Sequence, residues 1–182
     1  MRAGIEQPHP EAPTSLLIGN SAAMRELREA ILKAGRSESN VLIQGETGSG
    51  KDLVAQALHA SSPRRRSEMV AVNCAALPGS LLETELFGVE KGAYTGADVT
   101  RPGLCETASG GTLFLDEVGE FALPAQPKLL RALESRQIRR IGGREEIAVN
   151  IRVIAATHRD LVAMRSEEHT SELQSRGLIS YA

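Results

Sequence analysis

The chain has 182 residues, 41% of them hydrophobic and 24% charged, with a net charge of −2. That length suits one domain with a buried core, and that charge excludes a global electrostatic pull on nucleic acid. No apolar run reaches membrane-spanning length, the first residues lack the apolar stretch of a signal peptide, and Cys74 and Cys105 have no metal-ligand spacing, so a reduced, cytoplasmic protein is expected.

Residues 1–15 hold Pro8, Pro10 and Pro13 among mostly polar residues and read as a linker. A helix is predicted over 21–34, capped by Asn20 or Ser21, with Met24, Leu27, Ile31 and Ala34 on one face and Gly35 suited to its stop. VLIQG (41–45) reads as a buried strand, KDLVAQALHA (51–60) as a helix, MVAVNC (69–74) as a second strand and PGSLLETELF (78–87) as a helix. TLFLDE (112–117) is a third strand, and PAQPKLLRALESR (124–136) a helix in which Pro127 requires a late start. QIRRIGGREEIAVN can form a hairpin turning at Gly142-Gly143, and RVIAAT (152–157) is a fourth strand. Apolar strands alternating with helices predict an α/β fold, a parallel sheet covered on both faces. The arginines of PRRRS (63–67), with no interleaved aromatic, read as a solvated connector, and Cys105 as a small hydrophobe in the core.

GETGSGKD (45–52) lies between a predicted strand and a helix, the context of a phosphate-binding loop. Gly45, Gly48 and Gly50 let the backbone curl, so that the stretch Gly45, Glu46, Thr47, Gly48, Ser49, Gly50 turns its N–H groups inward. The following helix adds the positive end of its dipole, and Lys51 a charge for the β- and γ-phosphates. Asp52 stands where a Ser or Thr usually holds Mg²⁺; it is either a metal-side ligand, direct or through water, or points elsewhere. GGTLFLDE (110–117) runs an apolar strand into an acidic pair. At the strand's end Asp116 can hold Mg²⁺, and Glu117 can polarise an attacking water as a general base. The nucleotide-contacting set is expected to take in Ala108, Gly110 and Gly111 as well. In GAYTGA (92–97), Tyr94 stands between Gly92 and Gly96 in a chain poor in aromatics, which suggests a side chain carried on a mobile loop and aimed outside the chain.

GETGSGKD, VNCAALPGSLLETELFG, GAYTGA, GGTLFLDE and RVIAATHRDL occur in this order. Over residues 16–161 the chain resembles the central AAA+ ATPase domain of bacterial enhancer-binding proteins, the activators of sigma-54 RNA polymerase. The resemblance implies a P-loop NTPase fold of three αβα layers, with ATP and Mg²⁺ as cofactors. It also implies self-association into a ring, commonly a hexamer, that couples hydrolysis to remodelling of the closed promoter complex. DNA would be bound through a separate domain. The loop Gly92, Ala93, Tyr94, Thr95, Gly96, Ala97 would touch sigma-54, with Tyr where the family usually has Phe. Asn73 matches the residue that parks the catalytic Glu, here Glu117, and His158 falls at the γ-phosphate sensor, more often Asn. Arg139 and Arg140 lie in a second loop expected to move with the first; the other reading is a solvated turn. Rival readings are another AAA+ motor such as a chelatase or unfoldase subunit, against which GAYTGA speaks, and a non-catalytic interaction module, against which Lys51 and Glu117 speak.

The likeness breaks after residue 161. The family's interface arginines, fifth strand and helical lid are not recognisable, and RSEEHTSELQS (165–175) resembles translated sequencing adapter. Expected divisions are therefore a linker at 1–15, a partial AAA+ domain at 16–163 and a non-native tail at 164–182. The first strand is then expected to be an unpaired apolar edge, and the chain to turn over little ATP.

Overall fold

The computed structural model describes residues 13–121, 125–158 and, for the backbone alone, 179–180. In chain order the elements are α1 (Ala22–Gly35), β1 (Val41–Gln44), α2 (Lys51–Ala60), β2 (Met69–Asn73), α3 (Gly79–Phe87), α4 (Leu104–Thr107) and β3 (Thr112–Asp116). A 3-10 turn (Val118–Glu120) then leads to α5 (Gln126–Ser135), β4 (Gln137–Ile138), β5 (Ile147–Ala148), β6 (Arg152–Thr157) and β7 (Ile179–Ser180). The linker at 1–12 and most of 159–182, including Arg165 and Arg176, lie outside the described residues.

The helices begin where local chemistry dictates. Ser21 caps α1, its hydroxyl accepting the Met24 N–H at 3.2 Å. Pro127 falls in the first turn of α5, where its missing N–H costs nothing. Gly35 serves a different purpose from the one its position suggests. It is helical, and a Cβ there would lie 2.5 Å from Cβ of Ser61, so it is small because α1 packs against the end of α2. The short α4 and the turn at Val118–Glu120 carry too little periodicity to be seen in the sequence.

Five parallel strands lie in the order β2-β3-β6-β1-β7. Side chains alternate across the central strands. Leu113, Leu115, Val153 and Ala155 join a core with Leu82, Leu86 and Phe87 of α3 and Leu129 of α5. Phe114, Ile154 and Ala156 join the opposite core with Ile31 of α1 and Ala55 and Leu58 of α2. Each fully buried aliphatic side chain contributes about 1.5–3 kcal/mol, so the two cores hold the three αβα layers together. Cys105 is one of these core residues, with its thiol pushed up to about 12 by burial.

Two expectations are corrected. The outer edge of β1 is not unpaired: Val41 and Leu42 pair in parallel with Ile179 and Ser180. Because one sheet edge offers the same N–H and C=O spacing to any extended segment, even a two-residue strand can occupy it. The PRRRS stretch is also more than a solvated connector. Arg64 donates to the carbonyls of Gly111 and Asn150 at 3.0 and 2.7 Å and pairs with Glu38 at 2.7 Å, tying the start of β3 to its neighbours.

Candidate nucleotide site and partner loops

Strand order places the site. Asp116 ends β3 in register with Asn73 at the end of β2, and Gln44 ends β1 in register with Thr157 at the end of β6. The carboxyl ends of β3, β6 and β1 therefore present Glu117, His158 and the loop from Gly45 side by side. Strands stand about 4.8 Å apart, so β3 and β1, one strand removed, are separated by roughly 10 Å, a gap two long side chains can span. They do so: Lys51 Nζ lies 3.5 Å from Glu117 Oε1.

The phosphate loop has the form its residues predict. Gly48 and Gly50 adopt φ values of 79° and 85°, which side-chain-bearing residues rarely take. Gly50 caps α2 in this left-handed conformation, so the helix begins abruptly at Lys51. Ser49 N–H closes the turn on the Glu46 carbonyl at 3.2 Å, and Gly45 N–H is fixed on Thr157 O at 3.2 Å. Among the described residues no carbonyl accepts the N–H groups of Gly48, Gly50, Lys51 or Asp52. They are a set of donors at a helix N-terminus, which fits a phosphate. Lys51, 7% exposed, folds its ammonium onto the carbonyls of Gly45 and Glu46, each at 3.0 Å. Thr47 and Ser49 are exposed on the loop, and Asp52 is exposed on the first turn of α2.

The acidic pair splits at the strand end. Asp116 stays in β3, while Glu117 turns out of it with φ 52° and ψ 48°, the left-handed region. That conformation costs a non-glycine residue about 1–3 kcal/mol and swings Glu117 towards β6 and the phosphate loop. Asp116 Oδ1 accepts the Glu117 N–H at 3.0 Å. Asn73 departs from the expected role: its Nδ2 donates to Asp116 Oδ2 at 3.1 Å, not to Glu117. Its Oδ1 accepts the N–H groups of Ala75 and Ala76 at 2.9 and 3.2 Å, so the amide is held at the strand end from both sides. Glu117 is held by His158 instead. Glu117 Oε2 lies 2.6 Å from His158 Nδ1 and accepts the His158 backbone N–H at 3.2 Å. Burial alone would push the Glu117 carboxyl up, but the two hydrogen bonds from His158 and the charge of Lys51 together hold it below the usual carboxylate range.

Ala108, Gly110 and Gly111 do not join this site. They precede β3, at the opposite end of a five-residue strand from Asp116, roughly 17 Å away at 3.3 Å per residue. Their small size answers packing there: a Cβ on Gly111 would lie 2.1 Å from the Glu68 carbonyl oxygen, Gly110 has φ 86°, and Ala108 is buried.

Among the described residues no group of three or more His, Cys, Asp or Glu could hold a metal alone. One carboxylate at a strand end beside a phosphate loop does suit Mg²⁺, which keeps several waters and is commonly held by one or two carboxylates plus phosphate oxygens.

The GAYTGA stretch forms a turn on the surface. Gly92 N–H donates to Ala97 O at 2.8 Å, and Ala97 N–H to Tyr94 O at 3.0 Å. Gly92 and Gly96 take φ values of 82° and 97°, while Tyr94 is 47% exposed and Ala97 is buried. The base of this loop is tied to the β4–β5 hairpin. Val89 bridges both Arg101 and Ile141, and Glu90 N–H donates to Ile141 O at 2.9 Å. Arg140 resolves as a clamp, not a solvated turn: its guanidinium pairs with Glu106 at 2.6 Å and Glu90 at 2.9 Å. Hydrogen bonds from Arg140 hold the Glu106 carboxyl below its ordinary range. Arg139 does sit on the surface, paired with Glu146. Glu90 and Glu106 were missed in the sequence because isolated glutamates carry no signal until the fold brings them to one arginine.

A P-loop, an acidic strand end one strand away and a two-layered cover of helices define a P-loop NTPase of the AAA+ class. A family profile described as the sigma-54 interaction domain matches residues 17–176, and the chain belongs to that family, the ATPase domain of sigma-54-dependent transcription activators. It is 52% identical over 161 residues to the transcriptional regulator VasH of Vibrio cholerae, covering 88% of this chain and 30% of VasH. It is 55% identical over 148 residues to the DNA-binding transcriptional activator HyfR of Escherichia coli K12, covering 81% of this chain and 22% of HyfR. The solved structure of NtrX from Brucella abortus in complex with ATP superposes with a TM-score of 0.78 at 38% identity, covering 86% of this chain and 33% of NtrX. The chain thus spans about a third or less of the relatives it matches.

Proposed function

We propose that, in the longer protein that carries it, this domain binds and hydrolyses ATP with Mg²⁺ as part of a cytoplasmic sigma-54 transcription activator, and that hydrolysis moves the Tyr94 loop against sigma-54 in a ring of like subunits, commonly a hexamer. The observation that carries this is the approach of Glu117 to within 3.5 Å of the buried Lys51 ammonium at the mouth of the phosphate loop. The loop N–H groups and Lys51 are placed to hold the β- and γ-phosphates, and Asp116 to hold the metal. Bound there, ATP·Mg²⁺ supplies an activated phosphoryl group. Lys51 neutralises charge, the N–H donors of Gly48, Gly50, Lys51 and Asp52 orient it, and Glu117 takes a proton from water. Tyr94 presents an aromatic face and a hydroxyl to sigma-54 from a turn whose base Arg140 grips.

In the protein that carries this domain, Lys51→Ala is expected to abolish nucleotide binding, measured by calorimetry. Glu117→Gln is expected to keep binding and lower hydrolysis about 10²–10⁴-fold. Tyr94→Ala is expected to end promoter opening by sigma-54 polymerase; retained opening would show that the loop serves another purpose.

A further inference from the structure

We propose that the groove between α5 and the β4–β5 hairpin receives an acidic side chain of sigma-54, held by Arg131 and Arg139. The proposal rests on the reading above that the Tyr94 loop meets sigma-54, and adds a second contact beside it. The groove has a volume of about 360 Å³. Lys128, Arg131, Arg139 and Arg140 line it, and among the described residues no carboxylate does. Phe87 and Ile138, 1% and 3% exposed, give it an apolar floor, while the side chains of Lys128, Arg131 and Arg139 are half exposed.

These cations are unequally matched. Lys128 pairs with Glu83, and Arg140 with both Glu90 and Glu106. Arg131 and Arg139 share one carboxylate, and share it at one atom: both donate to Glu146 Oε1, at 2.5 and 2.6 Å. Each guanidinium carries five N–H donors in a planar fork that suits two-point binding of a carboxylate, so two forks meeting on one oxygen leave most of their donors to water. The hydrogen bond from Arg139 holds the Glu146 carboxyl below its ordinary range, so Glu146 stays charged and competes for the pair. The place of the groove identifies the partner. Gly142 lines it, and Cβ of Ala93 in the Tyr94 loop lies 2.5 Å from where a Gly142 Cβ would be, so a partner seated on that loop lies alongside the groove. A protein carboxylate suits it better than nucleic acid. The chain has a net charge of −2, and Glu83, Glu90 and Glu146 beside the lining cations repel a run of phosphates. One acidic side chain with an apolar neighbour asks only for Arg131, Arg139 and the floor.

The test uses the longer protein that carries this domain, loaded with a non-hydrolysable ATP analogue and Mg²⁺, and purified sigma-54 as the probe, with affinity read by fluorescence anisotropy. Arg131→Gln combined with Arg139→Gln is expected to weaken binding about tenfold, the order of two partly exposed ion pairs, and to flatten its dependence on salt. Glu146→Gln frees the two arginines and is expected to tighten binding about threefold, the order of one such pair. That gain is expected to vanish where both arginines are already Gln, which a role confined to holding the hairpin would not produce. Unchanged affinity in the arginine double variant overturns the proposal, as does a Glu146→Gln gain that persists without the arginines. So does a double variant that loses affinity for double-stranded DNA and keeps it for sigma-54, or one whose loss follows a loss of self-association by light scattering. Tyr94→Ala separates the two readings. If it leaves sigma-54 binding intact, the assignment of the loop fails, while the arginine and Glu146 variants still decide the groove.

Discussion

Glu117 shows how one residue can leave the rule of its strand. TLFLD is apolar and buried as a central strand should be, but the next residue turns left-handed and its carboxylate reaches across β6. Arg152 is the reverse case, a charge in a strand that is otherwise apolar. It is 1% exposed and donates to the carbonyls of Ala34 and Gly35 at the end of α1, at 2.8 and 3.1 Å, and of Ser39 in the loop beyond it, at 3.2 Å. Arg152→Met fills the space but takes the donor from the buried Gly35 carbonyl and from Ser39 O, and a buried, unsatisfied group costs roughly 1–3 kcal/mol. A lower denaturant midpoint for that variant is expected; an unchanged one would show that water satisfies them. His59 makes a pH prediction. Its Nδ1 lies 2.9 Å from the buried Thr112 hydroxyl, and burial, aided by the charge of Arg152, holds its pKa below the ordinary 6.5. Between the two values the unfolded chain binds more protons, so stability is full above pH 6.5 and falls as pH drops towards the folded value. His59→Gln is expected to flatten that part of the curve, measured by thermal unfolding across pH.

The β4–β5 hairpin and the GAYTGA loop behave as one piece. Two short strands could not stand alone in water, but Val89, Glu90 and Arg140 fasten them to α3 and α4. Arg140→Ala leaves Glu106 and Glu90 facing one another without their shared cation. Faster amide exchange across residues 90–100 and 139–143 together is expected, with β3 unaffected. Exchange rising in only one loop would show that the two are separate. Gly142 is the second fastener. With φ 76°, and Cβ of Ala93 only 2.5 Å from where its own Cβ would be, it admits no side chain. Gly142→Val is expected to displace the Tyr94 loop and open it to protease.

Taken across the molecule, stability is concentrated in β3 and β6. Each has a neighbour on both sides, and their side chains supply both cores. Native-state hydrogen exchange is therefore expected to be slowest at Leu113, Phe114, Val153 and Ile154, and faster in β2 and the hairpin. Uniform protection would show that the sheet opens only with the whole domain. This gradient suits the proposed task, since Glu117 and His158 follow the rigid strands β3 and β6 while the partner loop sits where motion is cheap.

Much of this was legible in the chain itself. Continuous apolar runs mark β1, β3 and β6, since a strand buried on both faces has no polar side to show. GETGSGKD is readable because glycine spacing and a lysine are the loop's own covalent requirements. GAYTGA stands out because glycine and an aromatic seldom share a turn. Tertiary structure alone decided what meets what. Parallel strands are paired through long crossovers, so nothing local says that β6 lies between β3 and β1, that His158 faces Glu117, or that Asn73 turns to Asp116. The same holds for Arg140 and Arg152. A charged residue reads as solvated until its partners, far away in sequence, are carried to it by the packing of the sheet.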